Sequence, residues 1–339
     1  MRAMVLKATG NLEPDGTPLE PVELPLPQPG RNEVRLRVAA CGVCHTELDE
    51  IEGRTAPPRL PVILGHEVVG TIDRLGAGVS RHRVGERVGV GWIHDSSGGA
   101  QENLSPEFRA TGRDVDGGYA EYMIAHEDYA YPIPGVFRDV EACPLLCAGG
   151  VGYRALRLTE IGDGGRLGLT GFGGSAHLVL QLVKHALPAT RVYVFARDPR
   201  QREFALELGA DWAGATDATA PEALDAIIDT TPAWRPVLEA LRNLRAGGRL
   251  VINAIRKEDG DRDCMATIRY DEHLWLEKEI KTVANVTARD IAEFLPRAAA
   301  VPLKPTVQCY PLERANEALR ELKFGEIRGA KVLVMDGGC

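Results

Sequence analysis

The 339-residue chain lacks several features that define large classes of proteins. No stretch approaches ~18 uninterrupted apolar residues, so no membrane-spanning helix is expected. The first residues lack the apolar run of a secretory signal peptide. Lysine and arginine are not clustered and the formal net charge is −8, which argues against nucleic acid and anionic membranes as partners. The remaining composition, 44% hydrophobic and 26% charged, is that of a globular protein.

Cysteine is present, but not in a pattern typical of a disulfide framework. The cysteines are odd in number and irregularly spaced, at positions 41, 44, 143, 147, 264, 309 and 339. Such a set predicts reduced thiols in a cytoplasmic protein.

The length predicts two domains. Short strands are predicted at 33–39, 68–73 and 87–90, where apolar residues alternate with polar ones or form short runs. Gly and Pro residues lie close to each of these segments. This pattern predicts a β-rich, barrel-like domain in the first half of the chain.

The pattern changes near residue 150 to an alternation of strands and helices. Predicted strands lie at 166–171, 191–196, 226–229 and 249–253. They alternate with predicted helices at 156–161 together with the preceding residues, and at 176–185, 199–208 and 236–244. This alternation predicts a doubly wound parallel sheet. After about residue 285 the pattern is mixed, with a helix predicted at 311–322 and a last strand at 330–335.

A set of metal-ligating residues lies in the first half. Cys44, His66, Glu67 and Cys147 supply two thiolates, an imidazole and a carboxylate, the chemistry of a zinc ion held with an open position. The spacing of Cys41 and Cys44 alone also fits half of a closed zinc site, a redox pair or two buried core thiols. The absence of a second C-x-x-C excludes only a closed four-cysteine site built from two such pairs.

A glycine-rich turn follows the last of these cysteines. Gly171, Gly173, Gly174 and Ala176 form a G-x-G-x-x-A pattern, which is weak evidence by itself. Placed between a predicted strand and a predicted helix, it indicates a site for the pyrophosphate of a dinucleotide. A Lewis acid together with a nicotinamide site indicates hydride transfer on an alcohol or carbonyl.

On these residues, and on 116–122 and 144–149, the sequence resembles the zinc-dependent alcohol dehydrogenases of the medium-chain dehydrogenase/reductase superfamily along nearly the whole chain. Within that superfamily it is most similar to the cinnamyl-alcohol-dehydrogenase-like branch. The resemblance implies an α/β protein. A GroES-like β-rich catalytic domain (1–149 and 287–339) would accompany a Rossmann doubly wound parallel-sheet domain (150–286).

The resemblance also implies roles for residues around the metal. Cys44, His66 and Cys147 would be the zinc ligands, and Glu67 an alternate ligand. Thr46 would take the proton of the alcohol, and Glu47 would hydrogen-bond the zinc-bound imidazole. Many relatives end the proton relay with a His where this chain has Asp49, so Asp49 is a candidate proton acceptor.

Further residues match the family's binding sites. His45 and Arg328 match residues that contact the cofactor pyrophosphate, while Ile51 and Trp92 match residues that line the alcohol pocket. A tryptophan there would suit aliphatic or aromatic primary alcohols.

The residue at the end of the second strand of the parallel sheet influences whether NAD or NADP is bound. An acid at this position would hold the ribose 2′-hydroxyl, but alignment places Ala196 there, followed by Arg197. A guanidinium without an acid favours the 2′-phosphate of NADP. Asp198 is close enough that a slip of one or two residues in the alignment would favour NAD instead.

Relatives commonly bind a second, structural zinc through four closely spaced cysteines. The matching segment, 92–105, has no cysteine and places Ser105 at the last cysteine position. We therefore expect one catalytic zinc per chain, no structural zinc, and a mobile or repacked segment at 94–115. Relatives form homodimers or homotetramers, and the sequence does not choose between them.

The sequence thus predicts a zinc-dependent alcohol dehydrogenase or aldehyde reductase that acts reversibly on primary aliphatic or aromatic substrates. Two alternatives are a sugar-alcohol (polyol) dehydrogenase and a non-catalytic nucleotide-binding protein on the same fold. A zinc-free quinone or enoyl reductase is disfavoured because Cys44, His66 and Cys147 are all present.

Overall fold

A computed structural model describes residues 1–301, 303–325 and 329–335 of the chain. These residues form two compact units. The first, β-rich unit comprises Met1–Cys147, Val286–Ala299 and the described residues from Lys304 onward. The second unit comprises Ala148–Asn285 with the described residues of 300–303.

The strands of the described residues are β1 (Arg2–Leu6), β2 (Leu19–Glu23), β3 (Glu33–Val43), β4 (Val62–Ile63), β5 (Val68–Leu75), β6 (Arg87–Val90), β7 (Ile93–Asp95), β8 (Arg109–Ala110), β9 (Tyr122–His126), β10 (Ala130–Pro132), β11 (Arg166–Thr170), β12 (Arg191–Phe195), β13 (Trp212–Gly214), β14 (Leu224–Asp229), β15 (Leu244–Ile252), β16 (Glu279–Thr282), β17 (Val307–Pro311) and β18 (Ala330–Val334).

The α-helices are α1 (His45–Ile51), α2 (Asp139–Ala142), α3 (Ala148–Thr159), α4 (Ala176–Ala186), α5 (Pro199–Glu207), α6 (Arg235–Asn243), α7 (Ala288–Ala300) and α8 (Ala315–Phe324). Short 3-10 turns and one π turn, Tyr270–Leu274, connect them. Among the described helices none combines the length and apolarity required to span a bilayer.

The β-rich unit is built around the long strand β3. Strand β3 pairs antiparallel with β5, β9 and β18 in a seven-stranded sheet, and β1, β2 and β4 form a separate small sheet. Apolar side chains from these strands and from α1 and α8 form one core, in which Leu36, Ile72 and Tyr119 have no exposed surface. Helix α1 follows β3 after one residue, so this rigid strand positions the first residues of the site.

The second unit contains a parallel sheet of six strands in the order β13-β12-β11-β14-β15-β16. Counted from β11 this order is 3-2-1-4-5-6, the order of the doubly wound dinucleotide-binding fold, and it confirms the fold class predicted from sequence. The direction of connection reverses between β11 and β14. The glycine-rich turn lies between β11 and α4, at this reversal, where ligands of such sheets bind.

Some predicted elements differ from those observed. The helix predicted from residue 311 begins at Ala315, because Pro311 completes β17 and a 3-10 turn at Leu312–Arg314 precedes α8. Strand β15 begins at Leu244, five residues before the predicted start at 249. Cys309 is disulfide-bonded, so the expectation of reduced thiols throughout is wrong for this residue.

The segment without structural-zinc cysteines is organised by a buried carboxylate. Strands β7 and β8 pair with each other, and Glu102 lies between them in a 3-10 turn, 3% exposed. Its Oε2 accepts a hydrogen bond from Tyr129 Oη at 2.7 Å, and its Oε1 accepts one from the backbone nitrogen of Ala288 at 2.5 Å. Glu102 therefore ties this segment both to the 3-10 turn before β10 and to the start of α7.

We expect Glu102→Ala to lower the thermal unfolding midpoint, because it leaves the Tyr129 hydroxyl and the Ala288 amide without their acceptor. A buried group left unpaired costs about 1–3 kcal/mol. The exposed Glu107 in the same segment gives the matched control, since Glu107→Ala should change stability by less than about 0.5 kcal/mol. Equal midpoints for the two variants, measured at one scan rate, would show that Glu102 does not hold the segment.

Candidate active site

Four potential metal ligands converge in the β-rich unit. One ligand atom from each of Cys44, His66, Glu67 and Cys147 can be chosen so that all four lie within 4.8 Å of one another. The two sulfurs are 3.9 Å apart. A tetrahedral ion with Zn–S bonds of about 2.3 Å separates its two sulfurs by about 3.8 Å, so the observed spacing fits zinc.

Glycines permit the close packing behind this cluster. A Cβ atom at Gly42, on β3, would lie 1.9 Å from Oε2 of Glu67. Gly65, directly before His66, has a φ of 100°, a backbone conformation that other residues rarely adopt. These two positions require glycine because the backbone of β3 and the segment 65–67 approach each other without room for side chains.

Glu47 connects two of the potential ligands. This residue is fully buried in the first turn of α1; its Oε2 accepts a hydrogen bond from the backbone nitrogen of Cys44 at 2.8 Å. Its Oε1 lies 2.6 Å from Nδ1 of His66. With Nδ1 donating to Glu47, Nε2 of His66 carries a lone pair, and this buried atom has no hydrogen-bond partner. The imidazole is therefore oriented as a metal ligand requires.

The two cysteines of the cluster differ electrostatically. The hydrogen bond between the thiols holds the pKa of Cys44 well below its ordinary value and, together with burial, raises the pKa of Cys147. Burial also raises the pKa of Glu67, which lies among like charges. Raised pKa values favour the neutral forms of Cys147 and Glu67, and a cation bound among these groups would favour their anionic forms instead.

The residues of the expected proton relay lie on α1. Thr46 is buried, and its Oγ1 lies 3.6 Å from Sγ of Cys44, directly beside the cluster. Asp49 is also buried, and its Oδ1 accepts a hydrogen bond from Nε of Arg54 at 2.6 Å. The structure thus places Thr46 at the cluster and pairs Asp49 with a partly exposed arginine.

The two predicted pocket residues have different surroundings. The ring of Trp92 is 6.0 Å from the ring of His66 and packs edge-on against Phe108 at 5.8 Å. Ile51 has no exposed surface and belongs to the hydrophobic core. The structure therefore brings Trp92 next to the metal cluster, whereas Ile51 contributes to the packing beneath α1.

The glycine-rich turn has the form that close approach of a ligand backbone needs. Gly171 has a φ of 76°, and the space beside Gly173 is open. Helix α4 begins at Ala176, which is fully buried. The turn thus opens directly into a helix N-terminus, where amide groups and the helix dipole favour an anion.

The side chains at the end of β12 are those from which the choice between NAD and NADP was predicted. Ala196 is buried and Arg197 is exposed. The carboxylate of Asp198 caps α5 by accepting a hydrogen bond from the Arg200 backbone nitrogen at 2.9 Å, and it pairs with the Arg200 side chain. The carboxylate of Asp198 is therefore already bonded to residues of α5.

The remaining two predicted cofactor residues are less informative. His45 is exposed at the first position of α1. Arg328 lies outside the described residues, so its predicted contact with the pyrophosphate stays a prediction.

A buried ion pair behind the glycine-rich turn was not predicted from sequence. Asp229, at the end of β14, has no exposed surface and accepts a hydrogen bond from Oγ1 of Thr170 at 2.6 Å. Lys257 pairs with Asp229 and donates to the carbonyl of Thr231 at 2.8 Å. Asp229 could have been singled out as an acid at the end of an apolar strand, next to the point where the strand order of the sheet reverses. Nothing in the sequence indicates Lys257 as its partner.

The burial of Glu50 beside the site was also not predicted from sequence. This residue lies on α1 one turn after Thr46 and Glu47, has no exposed surface, and neither oxygen of its carboxyl group has a hydrogen-bond partner. Burial raises its pKa well above the ordinary value, and the charge of Glu47 raises it further. The sequence offered only an acid on a short helix, a feature that is usually solvent-exposed.

Comparison with known proteins agrees with this architecture. Residues 30–135 match the family described as "Alcohol dehydrogenase GroES-like domain". "Probable alcohol dehydrogenase AdhA" of Mycobacterium tuberculosis (strain CDC 1551 / Oshkosh) is 40% identical over 95% of this chain and 94% of that protein.

Two solved structures share the whole fold. "Crystal Structure of NAD-dependent alcohol dehydrogenase" has 25% identity and a TM-score of 0.85, covering 99% of this chain and 100% of that one. A cinnamyl alcohol dehydrogenase of Sorghum bicolor has 25% identity and a TM-score of 0.82, covering 100% and 98%. These matches confirm the predicted GroES-like and Rossmann architecture. The chain belongs to the zinc-type alcohol dehydrogenases of the medium-chain dehydrogenase/reductase superfamily.

Proposed function

We propose that this alcohol dehydrogenase holds one zinc ion with Cys44, His66 and Cys147 and interconverts a primary aliphatic or aromatic alcohol with its aldehyde. The observation that supports this most directly is the buried Nε2 of His66, which has no protein partner and lies within a cluster of two thiols and a carboxyl group. In this proposal residues 1–149 and 287–339 form the catalytic domain, and 150–286 the cofactor domain.

The donor set fits a catalytic site more closely than a closed structural one. Zinc with two sulfur ligands and one nitrogen ligand supplies a Lewis acid that acidifies a hydroxyl and polarises a carbonyl. Glu67 is close enough to act as an alternate ligand. Glu47 fixes the orientation of His66 and the start of α1 through its two hydrogen bonds.

The chain's own residues suggest how the proton leaves. The Thr46 hydroxyl lies beside Cys44 and can pass a proton without becoming charged. Asp49 follows on the same helix and is linked to Arg54, whose side chain is partly exposed. We infer that Thr46 holds the substrate proton first and that Asp49, in place of the histidine of many relatives, connects this position with solvent.

Metal analysis tests the ligand assignment. We expect about one zinc per chain by elemental analysis, and loss of both zinc and alcohol oxidation in Cys147→Ser, because a serine hydroxyl stays protonated and binds zinc poorly. Glu47→Gln should weaken zinc binding by roughly 10- to 100-fold, as loss of a partner of a metal-bound histidine does.

Cys264→Ser provides the matched thiol control, since Cys264 is a free, partly buried cysteine of the other unit. It should retain the wild-type zinc content. Retention of zinc by Cys147→Ser, or two zinc ions in the wild-type protein, would contradict the assignment. Cofactor binding without zinc or turnover in the wild-type protein would favour the non-catalytic alternative.

We propose that the cofactor is a nicotinamide dinucleotide and that NADP is preferred to NAD. The open glycine-rich turn before α4 supports the dinucleotide. NADP is favoured because Asp198, which could hold a ribose hydroxyl, is bound to the N-terminus of α5 and to Arg200. Arg197 is exposed beside the buried Ala196 and can reach a 2′-phosphate.

Steady-state rates of cinnamaldehyde reduction with NADPH and NADH test this preference. Arg197→Ala should reduce the NADPH-to-NADH ratio of kcat/KM on the order of 10-fold or more, because a charged hydrogen bond is lost. Ala196→Asp should move the ratio in the same direction by repelling the phosphate. A wild-type preference for NADH that is lost in Asp198→Asn would show that Asp198 holds the ribose.

We further propose that the protein is a homo-oligomer that assembles through the edge strand β16. This strand pairs only with β15 among the described strands, and all four of its residues are exposed. Ile280 is 48% exposed, and the preceding Trp275 and Leu276 are each more than half exposed. An unprotected edge strand with apolar side chains readily accepts a further strand, and symmetry makes a second copy of β16 the natural partner.

Light scattering coupled to size exclusion tests this assembly. The wild-type protein should elute as a dimer or tetramer, and Ile280→Lys should shift it toward the monomer, since the lysine charge would be buried at the new interface. Leu206→Lys, on an exposed position of α5, is the control and should leave the mass unchanged. A monomeric wild-type protein would contradict the proposal.

A further inference from the structure

We propose that a polar subsite beside the metal cluster, formed by Glu50, Thr111 and Arg113 with the indole nitrogen of Trp92, binds a second hydroxyl group of the substrate. This inference rests on the proposed function, because it describes a neighbouring part of the same site. It narrows the substrate to a primary alcohol or aldehyde that carries a further hydroxyl group near the reacting carbon.

The position of Glu50 on α1 directs it to the same side as the site. Residues three and four apart share one face of a helix. Glu50 follows Glu47 by three positions and Thr46 by four, and both of these residues contact the cluster. Yet Glu50 has no exposed surface, and neither of its oxygens has a hydrogen-bond partner. A buried carboxyl group without a partner is costly unless a ligand or water completes its hydrogen bonds.

Three further polar atoms near the cluster share this property. Nε of Arg113, Oγ1 of Thr111 and Nε1 of Trp92 are all buried without a hydrogen-bond partner. The guanidinium of Arg113 is otherwise engaged at one edge, where Nη2 lies 3.4 Å from Oδ1 of Asp114. Its Nε is therefore a donor that points away from solvent and has nothing to bind.

Contacts of the described residues place Trp92 and the segment 111–113 beside the residues around His66. The Trp92 ring lies 6.0 Å from the His66 ring, and the carbonyl of Trp92 accepts a hydrogen bond from the backbone nitrogen of Thr111 at 2.9 Å. Gly112 packs so tightly on Gly65 that a Cβ atom would lie 2.8 Å from the Gly65 nitrogen. The segment 111–113 therefore runs against the residues that lead into His66.

Arg113 and Glu50 also influence each other. The positive charge of Arg113 lowers the pKa of Glu50, against the larger effect of burial, which raises it. The two groups, on α1 and in the segment after β8, are therefore close enough for their charges to interact.

The donor and acceptor pattern identifies the ligand chemistry. The Arg113 Nε and the Trp92 Nε1 can only donate hydrogen bonds. The Glu50 carboxyl group accepts them and, when protonated, also donates one, and a threonine hydroxyl does both. A single group that accepts from the first two and donates to the third is a hydroxyl, and next to the reacting carbon a substrate hydroxyl can take this place from water. A purely apolar substituent would leave all of these groups unpaired, so a hydroxylated substrate should be selected over its plain counterpart.

Comparison of two three-carbon aldehydes tests this inference. Glyceraldehyde and propanal differ only by hydroxyl groups, and both should be reduced by the zinc-loaded protein. We expect kcat/KM for glyceraldehyde to exceed that for propanal on the order of 10-fold or more. Glu50→Leu should reduce this ratio at least about 10-fold, and Glu50→Gln should reduce it less. Arg113→Met should also reduce the ratio, because it removes a hydrogen-bond donor of the same subsite. Zinc content and unfolding midpoint of each variant show whether it is folded.

The outcomes separate the two levels of the proposal. A wild-type enzyme that reduces both aldehydes equally well, or prefers propanal, overturns the hydroxyl subsite and leaves the proposed function intact. An equal loss of kcat/KM for both aldehydes in Glu50→Leu and Arg113→Met would also overturn the subsite and leave the proposed function intact, because it would indicate a structural role for these residues. Absence of turnover with both aldehydes in zinc-loaded wild-type protein overturns the proposed function itself. Glu107→Leu, an exposed change, controls for the effect of removing an acidic side chain.

Discussion

The candidate active site depends on the two hydrogen bonds made by the buried carboxyl group of Glu47. One bond fixes the backbone at Cys44, where β3 turns into α1, and the other fixes the imidazole of His66. Because both oxygens of one rigid group are used, a shift of the helix would move the thiol and the imidazole together. Burial raises the pKa of Glu47, and its hydrogen bonds with His66 and with the Cys44 backbone oppose that rise.

Much of this site could be predicted from sequence because its chemistry demands particular residue types. Zinc takes its protein ligands from a few residue types, here Cys, His and Glu, and only glycine tolerates the backbone at Gly65 and the approach of Glu67 to Gly42. The parallel sheet was predictable for a similar reason, since buried strands alternate with amphipathic helices. The bounds of an element were harder to predict where a proline or a 3-10 turn could belong either to the preceding strand or to the following helix, as at Pro311.

Other features could not be predicted, because they depend on which groups meet in three dimensions. An acid on a short helix carries no sign that it will be buried without a partner, as Glu50 is. Likewise, the pairing of Lys257 with Asp229 joins a loop to a strand end 28 residues earlier. The role of Asp198 was ambiguous in sequence because the same residue type suits both a ribose contact and a helix cap. The structure shows that it caps the helix.

The carboxyl group of Glu102 holds the segment that relatives fasten with a second metal ion. Because 92–105 contains no cysteine, we expect hydrogen bonds such as those of Glu102 to hold that segment in place of coordination bonds. The folding of this segment is then expected not to depend on the supply of zinc. Removal of the proposed catalytic zinc by a chelator should accordingly abolish activity without unfolding this segment.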